Sequence, residues 1–314
     1  MPTPHEHTGQ DGHHHSHGHS HGHSHGIDLD WDALGDDLER QAEARAGFIA
    51  EAAAWLGELA PWPAGGADGT PRRIIDVGGG PGTNATLLAH AFPGAEVVAV
   101  DGSAALVARA RARAEREGLS GRLTAREAQL PDDIDRLETG DLVWSSRVIH
   151  HLGDQQAALN RLAEHVLRPG GLLAVAEGGL EPRCLPRDFG IGKPGLESRL
   201  EAAFQDEFAT MRRELPGHAQ LAEHWPAMLE RAGLRHAGTR SFLTDLPAPL
   251  DRPVREHLRT RFARTRERMA DRLDAEDVRT LDALLDDDSP AGILQRPDVF
   301  YLTATTVYAG RRER

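Results

Sequence analysis

Cysteine is all but missing from these 314 residues: Cys184 is the only one. That excludes an intrachain disulfide and any metal site built from several thiolates. No apolar run approaches the ~20 residues that a membrane span needs. The amino terminus lacks an apolar middle segment, so no signal peptide is visible, and a cytoplasmic protein without membrane contacts is expected. Positive charge is in deficit, with a formal net charge of −13. Such a balance argues against non-specific binding to nucleic acid or to an anionic membrane. Lysine is reduced to Lys193, which reads more readily as codon bias than as chemistry.

Histidine, by contrast, crowds the amino terminus. Residues 1–26 hold His5, His7, His13, His14, His15, His17, His19, His21, His23 and His25, interleaved with Gly and Ser. A segment of this composition buries no core and is expected to be disordered. Neutral imidazoles at this spacing chelate Zn, Ni or Cu with exchangeable geometry. The candidate metal ligands are therefore His13, His14, His15, His17, His19, His21, His23 and His25, in a role apart from catalysis. Affinity tags are usually uninterrupted runs, and this array is not.

The rest of the chain is organised around Ile74-Ile75-Asp76-Val77-Gly78-Gly79-Gly80-Pro81-Gly82-Thr83. Its β-branched residues read as the end of a buried strand, its glycines as a tight turn, and Thr83 as the start of a helix. Glycines let a ligand approach the backbone where a side chain would collide. The first free N–H groups of the following helix point at the same spot. A nucleotide or nucleoside site is the natural inference. Strand two, Ala95–Val100, is apolar without alternation, as in a parallel sheet buried on both faces. It ends in Asp101-Gly102-Ser103, where an acid can accept both hydroxyls of a ribose and Ser103 can cap the next helix.

Further on, Asp141–Ser146 reads as strand four and leads into Arg147-Val148-Ile149-His150-His151-Leu152. Asp154 caps a helix, and Arg168-Pro169-Gly170-Gly171 forms a turn into strand five, Leu172–Ala176, which ends at Glu177. Residues 233–246 and 299–310 read as two more strands. The Asp-x-Gly-x-Gly-x-Gly run from Asp76, Asp101 about 20 residues on, and the stretch from Ser145 and Ser146 through Arg-Pro-Gly-Gly agree in order and spacing. Together they resemble the class I S-adenosylmethionine-dependent methyltransferases of the small-molecule type, over roughly residues 72–178.

That resemblance implies an α/β fold: a seven-stranded, mostly parallel Rossmann-like sheet with one antiparallel strand near its edge and helices on both faces. It implies S-adenosyl-L-methionine as cofactor, held by Asp76, Gly78, Gly79, Gly80, Gly82, Asp101, Gly102, Gln129, Leu130 and Ser146. No aspartate stands where the family often meets adenine. Gln129, Glu127 or the backbone N–H of Ala128 are the alternatives. His150, His151 and Glu177 are the candidate catalytic groups, because imidazole titrates near neutral pH and Glu177 ends a strand at the same crevice. A shaping role for the His-His pair is the competing reading.

The expected organisation is a tail at 1–26, a helical lid at 27–70 and a methyltransferase domain at 71–314. Two helical additions, at about 179–217 and 252–286, are expected to choose the substrate. The first lid helix runs from Trp31 to about Leu59. In the second addition Arg255, Arg259, Arg261, Arg266 and Arg268 share one face, which is either solvated or receives an acidic substrate. Methyl transfer to an oxygen or nitrogen of a small metabolite is the function expected. The competitors are an NAD-type doubly wound oxidoreductase and a non-catalytic metal-binding or regulatory protein. A nucleic-acid methyltransferase is disfavoured, because a basic patch and an Asn-Pro-Pro-aromatic motif are both lacking.

Overall fold

The computed structural model describes residues 31–59, 61–62 and 69–314. The tail expected at 1–26 and its histidines lie outside the described residues. Helices α1 (Trp31–Ala44) and α2 (Ala46–Glu58) come first. They are followed by β1 (Arg73–Val77), α3 (Thr83–Ala91), β2 (Glu96–Asp101), α4 (Ala104–Arg116), β3 (Leu123–Glu127) and β4 (Gly140–Ser146). Then come α5 (Gln155–Arg161), β5 (Leu167–Arg183), α6 (Leu196–Glu214) and α7 (Trp225–Arg231). The chain closes with β6 (Leu234–Leu246), α8 (Arg252–Met269), α9 (Ala275–Leu285) and β7 (Tyr301–Arg312).

The strands form one seven-stranded sheet in the order β3-β2-β1-β4-β5-β7-β6. Strands β1 to β5 pair in parallel, and β7 runs antiparallel to both β5 and β6. This is the mostly parallel sheet expected. Strand side chains alternate between faces, so neighbours in the apolar runs feed different cores. Ile74, Val97, Leu142 and Leu172 enter the core under α2, α3 and α4. Ile75, Val98, Val143 and Leu173 enter the core shared with α5 and α7. Each is at most 5% exposed, and such a side chain contributes about 1.5–3 kcal/mol by leaving water. A third core beyond the strand ends joins α6, α8 and α9 around Leu200, Leu258, Phe262, Leu281 and Tyr301.

Helix starts follow the capping residues. The Ser103 hydroxyl accepts the N–H of Leu106 at 3.3 Å, and Asp154 accepts that of Ala157 at 2.9 Å; each such cap is worth about 1 kcal/mol.

Three expectations need correction. The single helix from Trp31 is two helices, broken at Arg45, whose backbone leaves the helical region (φ −105°, ψ 9°). The Arg45 side chain turns inward, and its Nε donates to the Tyr301 hydroxyl at 2.8 Å. Strand β5 does not stop near Glu177 but continues to Arg183, paired with β7 through Leu180↔Ala304 and Arg183↔Leu302. Residues 179–183 therefore belong to the sheet and not to the first helical addition. Finally, Arg255 is not on an exposed face. It is buried, donating to the carbonyls of Leu250, Ile293, Leu294 and Arg296.

Candidate active site

The carboxyl ends of β1, β2 and β4 converge on one crevice, the place where open α/β sheets take ligands. The β1–α3 turn forms its floor. Gly78 and Gly79 both donate backbone N–H groups to the Val100 carbonyl, at 2.8 and 2.9 Å, which fastens the turn to β2. At Gly78 (φ +74°) a Cβ would lie 2.2 Å from the Val148 side chain, so only glycine admits the β4–α5 loop this close. At Gly82 (φ +82°) a Cβ would strike Ala110 of α4 at 2.7 Å. Gly80 (φ +53°) instead faces open space, with no atom within 4 Å of a notional Cβ. Packing explains the outer two glycines, and an accessible backbone explains the middle one.

Two acids flank that backbone. Asp101 Oδ2 accepts the N–H of Gly80 at 2.9 Å and Oδ1 that of Ser103 at 2.9 Å. Each oxygen keeps acceptor capacity for a hydroxyl, and burial raises the carboxyl's pKa. Asp76 is 1% exposed, and neither of its oxygens has a hydrogen-bond partner among the described residues. Burial first, then the charge of Asp101, push its pKa up to about 7, and only the nearby backbone of Ala85 opposes them. A buried carboxylate without a partner is costly. A cationic group beside it would relieve that cost.

Gln129 stands at the end of β3, exposed, its Nε2 donating to the Gly102 carbonyl at 2.8 Å. Its own N–H is taken by Asp133 at 2.9 Å, a contact no sequence motif announced. The Ala128 N–H donates to the Asp101 carbonyl at 3.0 Å and so is not free for an adenine, which corrects one of the three alternatives. Leu130 packs half-buried against the core on this side.

The second half of the crevice comes from β4, β5 and the loop between β4 and α5. Ser146 ends β4 opposite Ala176. Glu177, 2% exposed, turns its carboxylate under the loop. Both of its oxygens are committed: Oε1 accepts the N–H groups of Val148 and Ile149, both at 3.0 Å, and Oε2 meets His150 Nδ1 at 2.6 Å. Glu177 therefore holds the loop and fixes the His150 ring, leaving Nε2 as that ring's uncommitted nitrogen. The His151 ring lies 4.1 Å from that of His150, centroid to centroid. His151 keeps an exposed edge, yet its pKa is lowered to about 3, first by burial and then by the electrostatic influence of the His150 ring, Arg147 and Arg212. It is neutral at pH 7.

Arg212 of α6 secures the same loop from the far side. Its Nη1 donates to the carbonyls of His150 at 2.8 Å and Leu152 at 2.5 Å. Separated by 62 residues from His150, it carried no signal in the sequence. Among the described residues no three His, Cys, Asp or Glu side chains gather as a metal site, and no helix is long and apolar enough to cross a membrane.

This donor and acceptor set fits S-adenosylmethionine: an orphaned buried carboxylate for a cation, an open glycine backbone, and Asp101 with capacity for ribose hydroxyls. The family described as Methyltransferase domain matches residues 75–173. A trans-aconitate 2-methyltransferase of Methylobacterium radiotolerans is 39% identical over 196 residues, covering 56% of this chain and 72% of that protein. A tRNA 5-carboxymethoxyuridine methyltransferase of Escherichia coli is 29% identical, covering 43% of this chain and 53% of that one. Other curated relatives are matched over less of their own length, 24% for a Synechococcus protein and 36% for a trans-aconitate 2-methyltransferase of Deinococcus radiodurans. Among solved structures, an O-methyltransferase family protein from Burkholderia thailandensis aligns over 90% of this chain and 59% of its own, at 16% identity and a TM-score of 0.49. The chain belongs to the class I S-adenosylmethionine-dependent methyltransferases, enzymes that take S-adenosylmethionine as their methyl donor.

Proposed function

We propose that this protein methylates an oxygen or nitrogen of a small metabolite. The observation that carries the reading is the open, acid-flanked backbone at Gly80, on the turn whose Gly78 packs against Val148 of the His150 loop. When bound, S-adenosylmethionine supplies a methyl carbon already activated by its sulfonium. The chain's own work is then positioning, which is worth up to ~7–11 kcal/mol when reacting atoms are aligned. In this reading Asp76 meets the donor's ammonium, Asp101 its ribose hydroxyls, and the turn from Gly78 to Gly82 its amino-acid end. Gln129 and Leu130 border the adenine, and Ser146 closes the crevice from β4.

His150 is the group placed to take a proton from the acceptor, with Glu177 holding its Nδ1 side and orienting the ring. His151, neutral and partly exposed, shapes the same wall. The net charge of −13 speaks against an RNA acceptor. The test is transfer of a labelled methyl group from S-adenosylmethionine to a fractionated pool of small metabolites, followed by mass spectrometry. A single methylated product supports the proposal. Label appearing only on RNA or protein contradicts it.

A further inference from the structure

A cavity of about 180 Å³ opens between α1, the far end of β5, α6 and α8. It adjoins the crevice through Arg147, which lines the cavity and directly follows Ser146 at the end of β4. The next residue, Val148, is the one packed against Gly78. The donor turn and this cavity thus share one loop.

Five arginines and four acids line the cavity: Arg45, Arg147, Arg261, Arg264 and Arg268 against Asp37, Glu181, Glu197 and Glu201. Most of these charges are already satisfied. Asp37 receives His257 Nδ1 at 2.9 Å and Arg264 at 2.9 Å. Glu197 accepts the backbone N–H groups of Cys184 and Leu185. Glu201 pairs with Arg183, and Arg268 with Glu207.

Arg261 reaches Glu197 at 3.8 Å, which leaves Arg45, Arg147 and Glu181 as the lining charges without an ion pair among the described residues. Arg45 is only 5% exposed, and the sole hydrogen-bond partner found for its guanidinium among the described residues is the neutral Tyr301 hydroxyl. Glu181 lies near enough to attract it but not within ion-pair distance. Burial and the charge of Arg147 both work against its ionised form. A buried guanidinium with no carboxylate is an expensive arrangement. Arg147 adds a second cost: it is the only described non-glycine residue with positive φ, at +59°. Its N–H continues the sheet by donating to Ala176 at 3.0 Å, and strain of this kind collects at ligand sites. On the same wall, His257 Nε2 and Arg261 Nη1 are buried without hydrogen-bond partners among the described residues.

We infer that this cavity is the acceptor subsite and that it selects organic anions, anchoring a carboxylate or phosphate of the acceptor between Arg45 and Arg147. The inference deepens the methyl-transfer reading and rests on it for the word acceptor, but anion binding can be measured without any transfer. Guanidinium matches planar carboxylate in bidentate fashion, and one anion balances the surplus charge of the lining. The row of arginines on α8 is divided accordingly. Arg261 and Arg268 border the cavity, while Arg259 and Arg266 are engaged by Asp287 at 2.6 Å and Asp282 at 2.7 Å.

The test is calorimetric titration of the full-length chain, alone and saturated with S-adenosylhomocysteine. The probes are succinate, citrate and inorganic phosphate, with uncharged succinamide as control. At least one anion should bind in the millimolar range or tighter while succinamide does not. Preference for succinate or citrate identifies a carboxylate as the anchor, and preference for phosphate a phosphorylated acceptor. Arg147→Met, at an exposed position, should weaken the anion about tenfold or more and leave S-adenosylhomocysteine affinity unchanged. Arg45→Met should do the same, and Arg45→Lys should restore part of the loss. Equal binding of succinamide, no anion binding at 10 mM on the order of a weak site, or an Arg147→Met chain with unchanged anion affinity each overturns the inference. Failure to bind S-adenosylhomocysteine would instead remove the methyl-transfer reading and leave the anion titrations interpretable.

Discussion

Asp101 Oδ2 accepts the backbone N–H of Gly80 at 2.9 Å across 21 residues of sequence. One carboxylate thereby positions the donor turn and keeps lone pairs for a ribose. Asp101→Ala removes both, and S-adenosylhomocysteine affinity should fall about tenfold to a hundredfold, as expected for charge-assisted hydrogen bonds of ~1.5–3 kcal/mol. Calorimetry on the variant beside wild type reads this directly, and an unchanged affinity would count against Asp101 as a ribose ligand.

Asp76 links stability to pH. Its folded pKa of about 7 lies above the ~3.9 of an unfolded aspartate. The folded state therefore binds the extra proton between those values. The contribution is fully present below about pH 4 and is lost as pH rises toward 7, by about 4 kcal/mol at most. Asp76→Asn cannot ionise, so the donor-free variant should gain stability relative to wild type as pH rises from 4 to 8. Denaturant midpoints for both proteins across that range give the difference, and a flat difference would remove the buried-charge account.

Gly78 and Val148 form a steric pair. Gly78→Ala places a methyl group 2.2 Å from Val148 Cγ2 at a positive φ, and the overlap together with left-handed strain should cost about 2–4 kcal/mol. Adding Val148→Ala should return the steric part and leave the backbone part. If the double variant is no more stable than Gly78→Ala alone, the packing explanation for this glycine fails.

The loop carrying His150 is held from two sides, by Glu177 beneath and Arg212 above. Glu177→Gln should lower kcat about tenfold or more, in the range for a mispositioned acid–base group, with donor affinity little changed. Arg212→Ala leaves several carbonyls without a charged donor and should destabilise the chain by about 2–4 kcal/mol. Arg212→Lys should recover part of that loss. A Glu177→Gln protein with full kcat would return His150 to a purely shaping role.

The first half of the crevice was legible because it is local. Asp76, the glycines and Asp101 sit within one strand–turn–helix–strand unit, where backbone geometry restricts residue choice. Ser103 and Asp154 announced their helices for the same reason. The arginine-lined cavity was legible only in part: the α8 row raised an acidic substrate as one alternative, but nothing in the sequence joined Arg45 and Arg147 to it. Arg45, Arg147 and Arg261 are brought together only by tertiary packing, and arginine on a helix is usually solvated. The break at Arg45 escaped because the apolar period runs through it from Ala42 to Ile49, and only the long-range bond to Tyr301 turns the side chain inward. Strand β5 was underestimated because its unbroken apolar run stops at Ala176, ahead of Gly178 and Gly179. In the sheet they accommodate a register shift against β7, where a Cβ on Gly179 would lie 2.0 Å from the Ala304 carbonyl.

The most direct test is calorimetric titration of S-adenosylhomocysteine into the wild-type chain, with NAD as the comparison ligand. A one-to-one isotherm in the micromolar range, with no heat from NAD, is the predicted result. Silence from S-adenosylhomocysteine at millimolar concentration, or preference for NAD, would contradict the account.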